Sequence, residues 1–179
     1  MRSLTPSIVL FALLASGGSH ACDATGAFGL RFGDKPGRGA TIKDQSPTAF
    51  TYLIEPPAPD QRLDRYQVNA DPQSHQIFEI RAVKTLIPFD GVRVLSKEER
   101  LEAEKVSYAF AQEYVTSLPA EVQGKLKERY AIWRGNLLPA IHLEVNAVSA
   151  WEVTVSCMDT RREAEIMRRV LPEIFGPGK

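Results

Sequence analysis

The residues of this chain that could do chemistry together are one histidine and two glutamates, His142, Glu144 and Glu152. His142 and Glu144 alternate with apolar residues along one short stretch, and Glu152 lies in a second stretch with the same alternation. A carboxylate beside an imidazole raises the pKa of the imidazole, and such a histidine can act as the general base of a hydrolysis. We therefore take these three residues as the candidate catalytic group of a small hydrolase.

Period-two alternation predicts that the stretches carrying these residues are strands with one buried face. The break between the two stretches is short, so the strands should pair as an antiparallel hairpin. Only even shifts of register keep the two apolar faces together. Loops at 147–149 and at 148–150 both meet this condition, and no glycine marks the turn, so both registers stay open.

The first of these registers places Glu144 directly opposite Glu152, with His142 diagonal to Glu152. Like charges directly opposite each other are unfavourable, so a proton, a cation, an arginine or water would have to compensate. Antiparallel sheets commonly expose one face to solvent, and these three side chains are more simply explained as part of such a solvated face.

Residues 1–21 have the three-part order of a secretory signal peptide. Arg2 supplies a positive charge, residues 8–15 form a short apolar run, and the small residues Ser19 and Ala21 precede a cleavage point before Cys22. The apolar run is too short to span a bilayer as a helix. We expect residues 22–179 to form a single α+β domain that is exported to the periplasm or beyond the cell.

The cysteines of the exported chain are Cys22 and Cys157. In an oxidising compartment two cysteines suggest one disulfide, which here would tie the new N-terminus to the second strand of the hairpin. The alternative is a lipid anchor on Cys22. Lipoprotein signals normally resemble Leu-Ala-Gly-Cys, whereas Ser19, His20 and Ala21 precede this cysteine, which argues against the anchor.

Composition and motifs argue against several classes of function. The chain has 22 basic and 22 acidic residues, so it lacks the positive charge typical of a protein that binds nucleic acid. No second apolar run is long enough for a transmembrane helix. Zinc-ligand spacings and nucleotide-binding fingerprints are also missing from the sequence, so we expect no metal or other cofactor.

The remaining pattern predicts an α+β fold. Alternation indicates strands at 48–55, 63–70 and 77–87, the last two joined as a hairpin by a turn that begins at Asp71. Helices are predicted to begin after Ser96, at Pro119 and at Asp159 or Thr160, and 35–46 is predicted to be an exposed loop. The second helix would bury Val122, Leu126, Tyr130 and Trp133 and end at Gly135 and Asn136.

These elements together predict an antiparallel sheet of about five strands, two hairpins plus one strand, packed on one face by about three helices. The segment from Gly26 to Asp34 resembles the Phe-Gly-x-x-Phe-Gly opening of small bacterial envelope proteins over a short stretch, and the resemblance implies no chemistry. Its two phenylalanines are expected to plug the core while the glycines allow tight bends.

The absence of a strong catalytic motif favours a binding or interaction module of the bacterial envelope over an enzyme. Such a module could be an inhibitor, an accessory subunit or an immunity-type protein, and its partner would be another envelope protein. The alternative function is the small periplasmic hydrolase that uses His142 with Glu144 or Glu152.

Overall fold

The computed structural model describes residues 22–87, 95–147 and 151–175. The predicted signal peptide therefore lies outside the described residues. Along the chain the elements are β1 (Gly26–Ala27), β2 (Leu30–Arg31), β3 (Thr41–Gln45), β4 (Phe50–Leu53), β5 (Arg65–Ala70), β6 (Ile77–Thr85), α1 (Lys97–Ser117), α2 (Ala120–Gln123), β7 (Lys127–Arg129), β8 (Ile132–Leu138), β9 (Ile141–Asn146), β10 (Glu152–Asp159) and α3 (Thr160–Phe175).

Eight of the strands form one antiparallel sheet in the order β3-β4-β5-β6-β10-β9-β8-β7, and β1 pairs separately with β2. The large sheet consists of two successive meanders, β3 to β6 and β7 to β10, each followed by a helix. The last strands of the two meanders, β6 and β10, pair at the centre of the sheet. The outer strands β3 and β7 are therefore its two edges.

The expectation of a sheet of about five strands is wrong, because β3, β7 and β8 were not anticipated. The strands β4, β5, β6, β9 and β10 lie where alternation predicted them. β3 falls within the segment predicted to be a loop. All five of its residues are exposed, so it has no alternation of buried and exposed positions for the sequence to show.

The predicted second helix is also wrong beyond its first turn. Helix α2 ends at Gln123, and β7 and β8 follow. The four residues of the predicted stripe do not lie on one helix: Val122 is in α2, Leu126 precedes β7, Tyr130 lies at the exposed β7–β8 turn, and Trp133 is buried on β8. Gly135 does not end a helix. A Cβ atom there would lie 2.0 Å from the carbonyl oxygen of Lys125, so glycine is needed where that backbone passes close to β8.

Helix α1 begins as predicted, with a capping box. The Ser96 hydroxyl accepts a hydrogen bond from the backbone N–H of Glu99, and the Glu99 carboxylate accepts one from the backbone N–H of Ser96. Ala111, Tyr114 and Val115 of this helix join the main core on one face of the sheet. That face also carries Leu143, Val145, Val153 and Val155, each fully buried.

The N-terminal segment fills the same core from its other end. A disulfide joins Cys22 to Cys157 on β10, with 5.5 Å between their Cα atoms. Phe28 is 1% exposed and packs edge-on against Tyr66, 5.2 Å between ring centroids. A Cβ atom at Gly26 would lie 1.9 Å from the carbonyl oxygen of Leu30, so the tight β1–β2 turn requires glycine there. The predicted disulfide and the core position of Phe28 are confirmed.

The expectation that all three helices pack on one face is wrong, because α3 lies on the opposite face. Ile166 and Val170 of α3 form a small cluster with Phe78, separate from the main core. A β-bulge brings Phe78 to this face. Ala70 pairs with Ile77 and Asn69 pairs with Glu79, so Phe78 is the extra, unpaired residue between them. In the described part of the chain, no helix is long and apolar enough to cross a membrane.

Candidate functional site

The face of the sheet that carries α3 is lined mostly by polar side chains, and we refer to it as the polar face. It faces away from α1 and the disulfide, and Ile166 and Val170 of α3 pack on it at Phe78. Three residues of its first meander are buried although they are polar, namely Gln67, Asn69 and Glu79. The predicted site residues His142, Glu144 and Glu152 lie on this same face, each half-buried.

The centre of the polar face is a hydrogen-bonded ladder around Glu79, which is 2% exposed. The Glu79 carboxylate accepts hydrogen bonds from Asn69 Nδ2, Arg81 Nε and Ser156 Oγ, each at 2.6 Å. Thr51 Oγ1 in turn donates to Asn69 Oδ1 at 2.7 Å, which extends the ladder over four strands. Charge-assisted hydrogen bonds of this kind are the strong ones, and they hold each of these side chains in one orientation.

The register of the β9–β10 hairpin differs from both predicted alternatives. Val145 lies opposite Val155, and Leu143 lies opposite Cys157, so the shift is even and the apolar faces do stay together. The connection is longer than either predicted loop, and residues 148–150 within it lie outside the described residues. The prediction that the faces match is confirmed, and both proposed registers are wrong.

This register separates the predicted catalytic residues. Glu144 lies opposite Ser156 and not opposite Glu152. Glu152 instead lies opposite Thr85 of β6, and its carboxylate pairs with Arg65 Nη2 at 2.7 Å. The two glutamates are therefore not cross-strand neighbours, and the like-charge pair that one register predicted does not form. The charge of Glu152 is compensated by Arg65.

His142 has its own local partner. It lies opposite Met158 on β10 and Asn136 on β8, and its Nδ1 is 3.1 Å from Asn136 Oδ1. The amide oxygen of Asn136 can only accept, so Nδ1 carries the proton in this contact. The imidazole is thus held by an amide, and no hydrogen bond joins it to a described hydroxyl or carboxylate.

Helix α3 places a further carboxyl group over the polar face. Burial raises the pKa of Glu163, and the charge of Glu79 raises it further, while His142 and Arg81 act in the opposite direction. Sequence reasoning missed both glutamates. Glu79 follows the alternation of a solvated face, and its burial depends on the other elements that pack around it, which the strand pattern does not show.

The described hydrogen bonds do not connect a serine of the polar face to the predicted base His142. A serine nucleophile requires a base that is itself oriented by a third group. Ser156 Oγ donates to Glu79, whose carboxylate also binds Asn69 and Arg81, and the described hydrogen bonds do not link Ser156 to His142. Among the residues that the structure describes, no group of three His, Cys, Asp or Glu side chains is placed to hold a metal ion.

A second exposed feature lies at the β7–β8 turn. Tyr130 is 79% exposed, the largest exposure among the exposed large apolar side chains of the described residues. Tyr130 and Ala131 have φ values of 54° and 60°, the left-handed values that a two-residue type I′ turn needs and that Asn and Gly normally supply. The backbone therefore holds a bulky aromatic residue in a disfavoured conformation and presents its side chain to solvent.

A groove lies beside this turn, on the α1 face of the sheet, and we call it the α1 groove. Its apolar walls are Leu101 and Tyr108 of α1 together with Tyr130 and Ala131. Leu101 is 50% exposed. Tyr108 packs on Trp133, 5.2 Å between ring centroids, and its hydroxyl donates to Glu128 at 2.7 Å. Exposed aromatic residues beside a groove are typical of protein-binding surfaces.

An open cavity of about 740 Å³ lies elsewhere, between β2, β4 and the loop that precedes β3. Its charged lining is mixed in sign, with Arg31 and Lys35 beside Asp34 and Glu55. None of the three predicted catalytic residues lines it. Comparisons of the chain with protein-family models, with curated proteins and with solved structures find no match.

Proposed function

We propose that the protein is an exported, non-catalytic interaction module of the bacterial envelope, which binds another envelope protein as an inhibitor, accessory or immunity-type factor. The observation that carries this proposal is the exposed Tyr130, held by a disfavoured turn beside the α1 groove. A positive φ at a non-glycine residue costs of order 1–3 kcal/mol, and such strain clusters at functional positions. Tyrosine is also among the residues that dominate protein-binding energies.

The disulfide supports the exported location. Cys22 and Cys157 are bonded to each other, and disulfides persist in oxidising compartments outside the cytoplasm. The N-terminal pattern of a signal peptide leads to the same location. The bridge uses the sulfur atom that a lipid would modify, which supports a chain without an anchor at Cys22.

The geometry of the polar face supports binding over catalysis. His142, Glu144 and Glu152 are held apart by the register, and His142 and Glu152 are each engaged by a neighbour with a structural role. Among the described residues the one buried carboxylate is that of Glu79, and its oxygen atoms are occupied by three donors. With the proton on Nδ1, His142 keeps a free lone pair on Nε2, but no hydrogen bond connects its ring to a described carboxylate that would orient it or to a described hydroxyl that it would activate.

The proposal is tested by replacing Tyr130 with a photoreactive phenylalanine analogue and irradiating intact cells of the host. Ile42 provides a matched control, because it is an exposed apolar residue on the opposite edge of the sheet. We expect one discrete adduct from position 130 and none from position 42. The adduct is identified by mass spectrometry, and the purified partner must bind the purified wild-type protein.

Two results would overturn the proposed function. The first is equal labelling, or no labelling, at positions 130 and 42. The second is turnover of an ester, amide or glycoside substrate by the purified protein that is abolished by His142→Ala. The His142→Ala variant is informative because a surface histidine held by one amide should be removable with little loss of stability.

A further inference from the structure

We propose that the edge strand β7 binds an extended segment of the partner in which acidic and apolar residues alternate. This inference rests on the proposed function and names the part of the partner that the surface fits. It follows from three features of the β7–β8 hairpin: an unpaired strand edge, a row of basic side chains on one face, and the α1 groove on the other face.

The basic side chains are Lys127, Arg129 and Arg134, all exposed, and we call them the basic strip. Lys127 lies directly opposite Arg134, and Arg129 lies two residues from Lys127, so all three share the polar face. Like charges placed directly opposite each other destabilise a strand pair by a few tenths of a kcal/mol or more. The chain therefore holds an unfavourable pair that a negative charge from outside would relieve.

Described residues of this chain supply that charge only in part. Among the described residues, neither Lys127 nor Arg134 forms an ion pair. Glu144 lies opposite Arg134 on β9, and its carboxylate oxygen accepts a long hydrogen bond from Asn146 Nδ2 at 3.5 Å. Most of the ion pairs of the sheet lie in the other meander or on α3. The basic strip is thus a positive region without an ion pair among the described residues, with Glu144 as its one cross-strand acidic neighbour and with the Arg129 guanidinium stacked on the Tyr130 ring, 5.1 Å from the ring centroid.

The backbone of β7 is available on its outer side. Arg129 and Ile132 flank the two-residue turn and form the first hydrogen-bonded pair of the hairpin. Alternation along the ladder then turns the N–H and C=O of Glu128 away from β8, toward the free edge. The other edge, β3, carries a register shift between Ile42 and Asp44, and such bulges protect an edge from pairing.

An added strand would place alternate side chains on the two faces of the sheet. Side chains on the polar face would meet the basic strip, which favours Asp or Glu. Side chains on the other face would lie beside Glu128 and the Tyr108 side chain bonded to it, at the border of the α1 groove, which favours apolar residues over acidic ones. Backbone hydrogen bonds would supply affinity, and the alternation would supply specificity.

A lipid surface is the competing occupant, because basic residues and an exposed tyrosine also suit an anionic membrane. The protein partner is favoured because the apolar residues line a concave groove, which accepts inserted side chains. A bilayer instead needs an apolar surface that protrudes.

The test measures binding of synthetic peptides to the full disulfide-bonded chain by fluorescence anisotropy. The probe is a short peptide of alternating Glu and Val. One control peptide alternates Lys and Val, and a second has the same composition as the probe but separates the Glu and Val residues into two blocks. We expect binding of the alternating acidic peptide alone, weakened about tenfold by Lys127→Glu. Raising the salt concentration should also weaken it, because exposed charges are screened.

Lys43→Glu serves as the matched charge control, since Lys43 is an exposed lysine on β3, the opposite edge of the sheet. Equal binding of the alternating and block peptides would overturn the inference, as would an unchanged affinity of the Lys127→Glu variant. Binding to phosphatidylglycerol vesicles without binding to the peptide would overturn it in favour of a membrane. If the Tyr130 crosslink still identifies a partner after any of these results, the interaction function stands and only the strand-addition inference fails.

Discussion

The two meanders of the sheet differ in how their polar side chains are used. In the first meander, β3 to β6, the buried amide of Asn69 and the carboxylate of Glu79 are tied into one hydrogen-bonded ladder. Its charges are paired across elements: Arg65 with Glu152, Lys84 with Asp64, and Asp71 with Arg169. At the outer edge of the second meander, Lys127 faces Arg134 and Tyr130 projects into solvent.

We propose that stability and recognition are assigned to separate parts of one sheet. The first meander satisfies its own polar groups, so a partner would gain little by contacting them. The edge of the second meander leaves basic side chains without ion pairs and an aromatic side chain exposed, and those groups can gain from a partner. Substitutions should therefore reduce stability in the first region and reduce binding in the second.

Loss of the disulfide should have the largest effect on stability, because the bond joins the N-terminal segment, which packs in the core, to the central strand β10. We expect Cys22→Ala/Cys157→Ala to lower the free energy of unfolding by ~2–4 kcal/mol, measured by urea denaturation. Reduction of the wild-type protein should give the same loss. A loss under about 1 kcal/mol would show that tethering the N-terminal segment to β10 contributes little to the free energy of unfolding.

The matched pair Glu79 and Glu144 compares the same residue type on the polar face of the two meanders. Glu79→Ala leaves Asn69 and Ser156 without their buried acceptor, so we expect a loss of ~2 kcal/mol in urea denaturation. Glu144→Ala should change the unfolding free energy by less than ~0.5 kcal/mol. Equal losses of unfolding free energy in the two variants would show that polar side chains contribute equally to stability in the two meanders.

Glu163, which lies over the polar face, should make the stability of the protein depend on pH. Burial and the charge of Glu79 raise the pKa of Glu163 above its ordinary value of 4.5 in the folded state. The folded protein therefore keeps this proton to higher pH than the unfolded chain, so stability falls as pH rises from 4.5 through the folded pKa. Below both pKa values the effect vanishes.

We expect Glu163→Gln to be more stable than wild type at neutral pH, with the difference disappearing under acid conditions below the ordinary pKa of a glutamate. Glu165→Gln is the control on the same helix, since Glu165 is exposed. Thermal denaturation across the acid range measures both. A difference for Glu163→Gln that did not change with pH would mean that the carboxyl group is not desolvated by the polar face.

The smallest expected effect is a gain at the β7 edge. Lys127→Glu replaces a like-charge pair with an opposite-charge pair across β7 and β8, so we expect an increase of ~0.2–0.5 kcal/mol in the unfolding free energy. Arg134→Glu should gain less or nothing, because it also places two glutamates opposite each other, at 134 on β8 and at Glu144 on β9. The variant carrying both substitutions restores a like-charge pair and should lose the gain, whereas additive gains would show that the two side chains do not interact.

Local sequence pattern was enough to predict the elements whose residue types repeat or are spaced in a characteristic way. The β9–β10 alternation, the Ser96 capping box and the pairing of Cys22 with Cys157 follow from residue types and spacing, and the structure confirms them. The edge strands were missed for a physical reason. β3 and β7 are exposed at every residue, and a strand without a buried face leaves no alternation in the sequence.

The parts of the candidate site that depend on distant contacts were not predictable from local pattern. The burial of Glu79 follows from the elements that pack around the polar face. Tyr130 was assigned to a buried helical stripe because its spacing from Leu126 and Trp133 fits a helix, although it lies at an exposed turn. The length of the β9–β10 connection, which decided whether Glu144 met Glu152, has no marker such as glycine in the sequence.

We propose that the free edge of β7 is the recognition strand, and amide hydrogen exchange at Glu128 tests this most directly. Its N–H points outward in the free protein, so it should exchange fast. Saturation with the alternating Glu-Val peptide should slow this exchange while leaving the amides of β3 unchanged. A peptide that binds the protein without slowing exchange at Glu128 would contradict strand addition at this edge.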